Sequence, residues 1–158
     1  MREILFRAKA INRDKGYHRS NYKNGDWVYG LISRLYDERF ENLPAEMTDI
    51  IGISGIEVDY KTIGQYTGLT DKNGKKIFEG DYWIDTDDGT IFVVEFRNSQ
   101  FCFVLYDFLP LLTENGCYED AGGFGECDCV PMLDYYIEEI EIKGNIHDNP
   151  ELLKGGVE

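Results

Sequence analysis

Cys117, Cys127 and Cys129 are the residues best suited to a soft metal. Structural zinc sites pair cysteines two to four residues apart and add a fourth Cys or His. Here Cys117 and Cys127 are ten positions apart, and His18 and His147 are distant in sequence. Glu119, Asp120, Glu126 and Asp128 would also oppose the negative charge of thiolate ligands. The pattern predicts free thiols in a loop and no metal. Asp85, Asp87 and Asp88 offer oxygen donors for calcium or magnesium, but the later ligands of a calcium loop are missing. An Asp-Gly turn explains Gly89 without a metal. His18 and His147 have no nucleophile motif beside them. The glycines at 64, 68, 74 and 80 do not form a phosphate loop and read as turn glycines. No catalytic residue and no cofactor are expected.

One further cluster is basic and aromatic: Arg13, Lys15, Tyr17, His18, Arg19, Tyr22, Lys23 and Trp27. Such a segment has the composition to stack bases and hold phosphates. Strand packing explains most of its aromatics, and a solvated loop pairing with acidic residues elsewhere is the simpler reading. Arg13, Lys15, Tyr17, Arg19, Tyr22 and Lys23 are therefore the expected interaction surface.

The elements that position these groups are strands. Gly64 to Ile84 organises them: Asp71-Lys72-Asn73-Gly74 is a hairpin turn, since Asn-Gly tolerates positive φ. Glu79-Gly80-Asp81 is a tight corner, and Tyr82, Trp83 and Ile84 start a new strand. Asn73, Gly74, Gly80, Asp81, Trp27 and Trp83 are the residues expected to hold the structure. Arg2 to Lys9 alternates as a half-buried strand. Residues 12–26 read as a loop. Trp27 to Leu35 is a second strand, with Trp27, Tyr29 and Leu31 on one side. Arg34 to Glu46 fits a short helix or a loop. Ile50 to Val58 reads as short strands around a turn. Asp87-Asp88-Gly89 and Asn98-Ser99 are tight turns joining three strands into a meander, which suits a small barrel. Residues 109–115 hold a helical turn, residues 116–128 a Gly-rich loop, and Tyr135 to Ile142 a last strand. Asn149-Pro150 caps a helical turn over 150–154. Trp27, Tyr66, Phe78, Trp83, Phe92, Val94, Phe96, Phe103 and Ile140 are the expected core.

Four blocks, in order, carry a resemblance. Ile63-Gly64-Gln65-Tyr66-Thr67-Gly68-Leu69, continued by Asp71 to Ile77 and Glu79-Gly80-Asp81, resembles the YopX family of phage and prophage proteins. Met1 to Ala8 is similar to that family's opening strand, Gly25 to Gly30 to its second block, and Gly144 to Leu153 to its closing segment. The resemblance implies an SH3-like barrel in the C-terminal part and a phage or prophage origin. It implies no established activity and lends no catalytic residue. The chain departs from the pattern at Tyr60-Lys61, where a Pro and an acidic residue are common, and in the stretch from Cys117 to Cys129.

Composition sets the outer bounds. The 158 residues are 42% apolar, enough for a core, and eleven Tyr, nine Phe and two Trp favour strands. The fold class expected is mainly β: an N-terminal β segment over 1–60, an SH3-like small barrel over 61–158 and short helical turns, or one continuous unit over 1–158. The net charge of −14 is uneven. Residues 1–60 hold 9 Lys and Arg against 10 Asp and Glu, whereas residues 61–158 hold 7 against 20. Within the first part, residues 1–23 carry seven Lys and Arg against two acids. An acidic C-terminal half repels a phosphate backbone. No apolar run reaches the roughly 20 residues that cross a bilayer, and no signal sequence is evident. Four cysteines without framework spacing suggest a reduced setting, the cytoplasm of a bacterial host. The function these features favour is a non-enzymatic interaction or self-assembling accessory protein, bound to its own copies or to another phage or host protein. An acidic inhibitor that mimics nucleic acid is the second reading, and a nucleic-acid binder using the basic segment is the third.

Overall fold

The computed structural model describes residues 3–11, 22–35, 45–87, 89–97, 99–105, 129–132 and 137–149. The chain divides into two compact units, Met1–Gly68 and Leu69–Glu158. Both are built from antiparallel sheet, and among the described residues neither sheet closes into a barrel.

In the first unit β1 (Phe6–Lys9), β2 (Trp27–Arg34), β3 (Ala45–Asp49), β4 (Ile56–Val58) and β5 (Gly64–Thr70) are ordered β4-β3-β2-β1-β5. The sheet curls. Ala10, just past β1, forms an antiparallel bridge with Val58 of β4. Ile11 N donates to Glu57 O at 2.9 Å and Asp59 N to Lys9 O at 2.9 Å. A single bridge leaves the curl short of a barrel, but it encloses a core of Ala8, Ala10, Val28, Ala45, Met47, Ile56 and Val58. Five of these seven are Ala or Val, and Met47 and Ile56 fill the remaining space.

Gly30 shows how tight the curl is. It faces the interior of β2 opposite Asp49. A Cβ added there would overlap the Thr48 carbonyl oxygen and lie 2.7 Å from Asp49 Cα. Close backbone approach, not a turn, requires this glycine.

The second unit holds β6 (Lys76–Phe78), β7 (Asp81–Ile84), β8 (Ile91–Arg97), β9 (Gln100–Leu105), β10 (Cys129–Pro131) and β11 (Gly144–Asn145). Its five-stranded sheet runs β10-β9-β8-β7-β11. The expected meander is present: Trp83 pairs with Phe92, and Val94 with Phe103. The core gathers Ile77, Trp83, Phe92, Val94, Phe103, Met132, Ile140 and Ile142. Trp83 and Phe92 stack at 4.7 Å, and Phe103 meets Trp83 edge-on at 5.7 Å. Such pairs add about 0.5–1.5 kcal/mol each beyond burial.

The turns follow the sequence chemistry. Asp71 Oδ1 accepts from Asn73 N and Lys75 N, both at 2.9 Å. Gly74 N closes the turn onto Asp71 O. Gly80 has φ of +82°, where an L side chain is strained. Its N–H donates to Val94 O and its carbonyl accepts from Ile146 N. Asp81, 1% exposed, accepts from Phe78 N at 2.8 Å and from Asn145 Nδ2 at 3.3 Å.

Five expectations are corrected. Trp27 is not a core residue. Val28 and Gly30 occupy the inner face of β2, so Trp27, Tyr29 and Leu31 point outward. Phe96 is 51% exposed; β8 runs past the core after Val94, and Phe96 packs edge-on against Phe101 at 5.0 Å. Within Tyr135 to Ile142, Tyr135 and Tyr136 lie outside the described residues, Ile137–Glu139 is a 3-10 turn, and Ile140, Glu141 and Ile142 belong to no strand. Ile140 and Ile142 are still buried, because Lys72 N donates to Ile140 O and Asp71 Oδ2 accepts from Ile142 N. Cys129, placed in the expected Gly-rich acidic stretch, lies in β10 instead. Cys102 is disulfide-bonded, which corrects the expectation of reduced thiols; β10, unforeseen from sequence, is the strand that runs beside it, with Pro131 opposite Cys102. The expected helical turns over 109–115 and 150–154 lie outside the described residues, as do Cys117, Cys127 and Asp88.

Candidate interaction surface

Of the expected surface residues, Arg13, Lys15, Tyr17 and Arg19 lie outside the described residues, as does His18. Lys23 is exposed, and its N–H donates to Asp26 Oδ2 at 2.7 Å. Tyr22 packs against the core of the first unit and donates its hydroxyl to Asp49 Oδ2 at 3.2 Å. Burial and the Asp49 carboxylate push the Tyr22 phenol above its ordinary value. Tyr22 is thus a clamp on the fold.

The face that does reach solvent is the outer side of β2, at Tyr29 and Leu31; beside it on β1, Arg7 is buried and Lys9 half-buried. Directly paired residues of an antiparallel sheet share a face. Arg7 opposes Tyr29 and Lys9 opposes Trp27. The two cations lie over the Trp27 ring, the Arg7 guanidinium at 4.7 Å and the Lys9 ammonium at 4.5 Å from its centroid. Such contacts contribute about 0.5–1 kcal/mol at exposed sites and about 2 kcal/mol when desolvated, and the buried Arg7 with the half-buried Lys9 covers an indole that the core leaves outside.

The same face continues into the turn between β3 and β4. One step beyond the Gly30–Asp49 pair, Ile50 comes level with Tyr29 and donates its N–H to Tyr29 O at 3.0 Å. Leu31 opposes Thr48 beside it. Tyr29, Leu31, Ile50 and Ile51 are 37%, 52%, 73% and 77% exposed. The turn that carries the two isoleucines is braced. Asp49 Oδ1 accepts from Ile51 N at 3.1 Å and from Ile53 N at 2.8 Å, while Oδ2 accepts from Tyr22. Gly52 N also donates to Asp49 O at 3.0 Å. The result is a fixed apolar tip beside a cation–aromatic ladder. Sequence reading missed Arg7, Lys9, Asp49, Ile50 and Ile51. The available signal was Ile50-Ile51 followed by Gly52, an apolar pair placed in a turn.

In the second unit, Asn73 and Gly74 form an exposed turn, while Gly80, Asp81 and Trp83 are buried. A cleft of about 400 Å³ opens beside Trp83. Trp83, Ile84 and Ile140 give it apolar lining, and Asp85, Asp87, Glu139 and Glu141 line it with carboxylates. Lys72 and Lys143 both bond Glu141, at 2.7 and 3.0 Å. Those two bonds draw the Glu141 carboxyl down to about 2. Asp85, Asp87 and Glu139 have no ion pair among the described residues. No group of three or more His, Cys, Asp or Glu among the described residues is placed to hold a metal ion. No described helix is long and apolar enough to cross a membrane.

A search of the curated proteins finds no match. The family described as YopX protein matches residues 6–154, most of the chain. The N-terminal curled sheet, the central hairpin and the closing segment all fall inside that match, and the chain belongs to the YopX family.

Proposed function

We propose that this chain is a phage or prophage accessory protein that acts by binding another protein, without catalysis, and that the outer face of its first unit is the binding surface. The observation that carries this reading is the braced turn at Asp49. It holds Ile50 and Ile51, among the most exposed large apolar side chains of the described residues, in a fixed position. Exposed apolar groups that form a contiguous patch mark interaction sites, whereas scattered ones do not. Preorganising such a patch reduces the entropy lost on binding. The second unit fits the SH3-like reading best through its antiparallel meander β7-β8-β9 flanked by two short strands.

The test is a tagged full-length chain used as bait in bacterial lysate, with nuclease present. The double variant Ile50→Ser/Ile51→Ser serves as the comparison. A protein retained by the original chain and lost by the variant is the expected result. Identical retention by both would remove the surface, and a signal that nuclease abolishes would shift the reading to nucleic acid. The acidic-mimic reading rests on residues 85–141, with 14 acids against Arg97 alone. It requires instead that the chain compete with DNA for a host protein.

A further inference from the structure

We infer that the disulfide at Cys102 is a redox latch. Formed, it holds β10 and Met132 on the second unit; cleaved by a dithiol reductant, it releases them.

The bond reaches the right segment whichever cysteine completes it. Cys102 is disulfide-bonded and lies within β9. The other cysteines of the chain are Cys117, Cys127 and Cys129. All three fall between the end of β9 and the first residue of β10. The cross-link therefore ties to β9 the stretch of chain that delivers β10, the edge strand of its sheet.

The strand ladder alone holds β10 weakly. It spans three residues and pairs with β9 only, whereas β9 pairs with β8 over six. One of the three, Pro131, has no N–H to give to the ladder. Residues 106–128, twenty-three in all, separate the two strands, and closing a connection of that length costs entropy. Their composition raises the cost. Four are glycines, which lose the most freedom on ordering. Six are Asp or Glu, with no Lys or Arg among them, so the segment repels itself. A cross-link inside this stretch keeps the connection closed in the undocked state too, and so removes much of the cost of docking.

Docking in turn completes the core. Met132 follows β10 directly, is 1% exposed, and belongs to the core of the second unit with Trp83, Phe92 and Phe103. Undocking withdraws it and leaves β9 as a bare sheet edge. Side chains alternate along β9, so with Phe103 turned into that core, Cys102 lies on the opposite face, fully buried. A buried sulfur is closed to a reductant, so cleavage starts at the partner sulfur or waits for β10 to open.

The step is thiol–disulfide exchange. A thiolate of the dithiol attacks one sulfur and displaces the other cysteine as a thiolate, which takes a proton. The second thiol of the reductant then displaces the first cysteine. Two electrons and two protons pass to the protein, and the reductant leaves as its own disulfide.

Hydrogen exchange on the full-length chain, prepared without reductant and then treated with dithiothreitol, tests this. Before reduction, peptide mapping should find Cys102 linked to one of the other three cysteines. Reduction should add two hydrogens to the mass and speed exchange over residues 129–132 by roughly tenfold or more, with β1, β2 and β3 unchanged. Reoxidation should restore the slow pattern. Cys102→Ala should show the fast pattern with and without dithiothreitol; the comparison on the original chain needs no substitution and decides the matter if that variant fails to fold. A free Cys102 thiol in the unreduced chain would overturn the inference. So would unchanged exchange over residues 129–132 after complete reduction. A loss of protection spread evenly over both units would also overturn it, since the bond would then be a general staple and not a latch on β10.

Discussion

Asp71 and Ile142 are 71 positions apart, yet the Asp71 carboxylate accepts the Ile142 backbone N–H at 3.1 Å. The other oxygen of that carboxylate holds the Asn73-Gly74 turn. One side chain therefore ties the central hairpin to the closing segment, whose Ile140 and Ile142 complete the core. Burial pushes the Asp71 carboxyl up, but the bonds from Lys75, Ile142 and Asn73, with the Lys75 charge, outweigh it and hold the group below 3.8. A lowered folded value means the charged form is the one that stabilises. Its contribution is complete above the ordinary value near 3.8 and is lost as pH falls through the lower folded value. Unfolding followed by Trp83 fluorescence should therefore show a loss of stability beginning below about pH 4. Asp71→Ala should lower stability at neutral pH by about 1–3 kcal/mol, leaving backbone donors without their acceptor, and should flatten that acid limb. An acid limb equally steep in Asp71→Ala would assign the pH dependence to other carboxylates.

Gly30 supports a sharper prediction about the first unit. Alanine there places a methyl group on the Thr48 carbonyl oxygen, which is backbone and has little freedom to yield. Gly30→Ala should cost about 1–3 kcal/mol, the range for overpacking. Hydrogen exchange should show the loss first at β2 and β3, where the curl is tightest. Gly25→Ala is the control: an added Cβ has nothing within 4 Å, so any cost there is backbone strain at φ of +85°. Equal protection of the β2–β3 amides in both variants would mean that the curl relaxes around the methyl.

The turns and the meander were readable from the sequence because they depend on local chemistry. Asp71 to Gly74, Gly80 and Gly89 each announce a backbone conformation that few other residues adopt, and Gly74, Gly80 and Gly89 all have positive φ. Phe92, Val94 and Phe103 were identifiable as core because apolar residues fill both faces of a central strand. What stayed hidden is set by tertiary geometry. Period-two alternation shows that Trp27, Tyr29 and Leu31 share a face and leaves open which face is inside. Here size decided: Val28 and Gly30 fit the curl and the indole does not. The alternation of Ile140 and Ile142 with glutamates was real, but its backbone groups pair with Lys72, Asp71 and the Tyr82 carbonyl, not with a strand ladder. The basic segment is the surface that sequence suggests, because charge is visible in sequence. The braced Ile50-Ile51 tip needed the Asp49 hydrogen bonds to be recognised.

Phe103 is the residue whose truncation should most damage the second unit. It is fully buried, pairs with Val94 across the sheet, and meets both Trp83 and Phe92 edge-on. Phe103→Ala should cost about 3–5 kcal/mol. Phe103→Leu should recover much of this, since it restores volume without the ring contacts. Phe96→Ala, at an exposed position of the same sheet, should cost far less. Denaturant midpoints for the three variants, at an unchanged slope, measure the difference. Comparable losses at Phe96 and Phe103 would mean that the outer aromatic pair is as important as the core.

Glu141 separates a perturbed titration from a stabilising one. Its carboxyl lies at about 2 because Lys72 and Lys143 both bond it. All three side chains are well exposed, between 37% and 42%, so solvent screens the attraction. Nuclear magnetic resonance titration of Lys72→Met/Lys143→Met should return Glu141 toward its ordinary value of 4.5. The unfolding midpoint at neutral pH should scarcely move, because exposed ion pairs contribute little to stability.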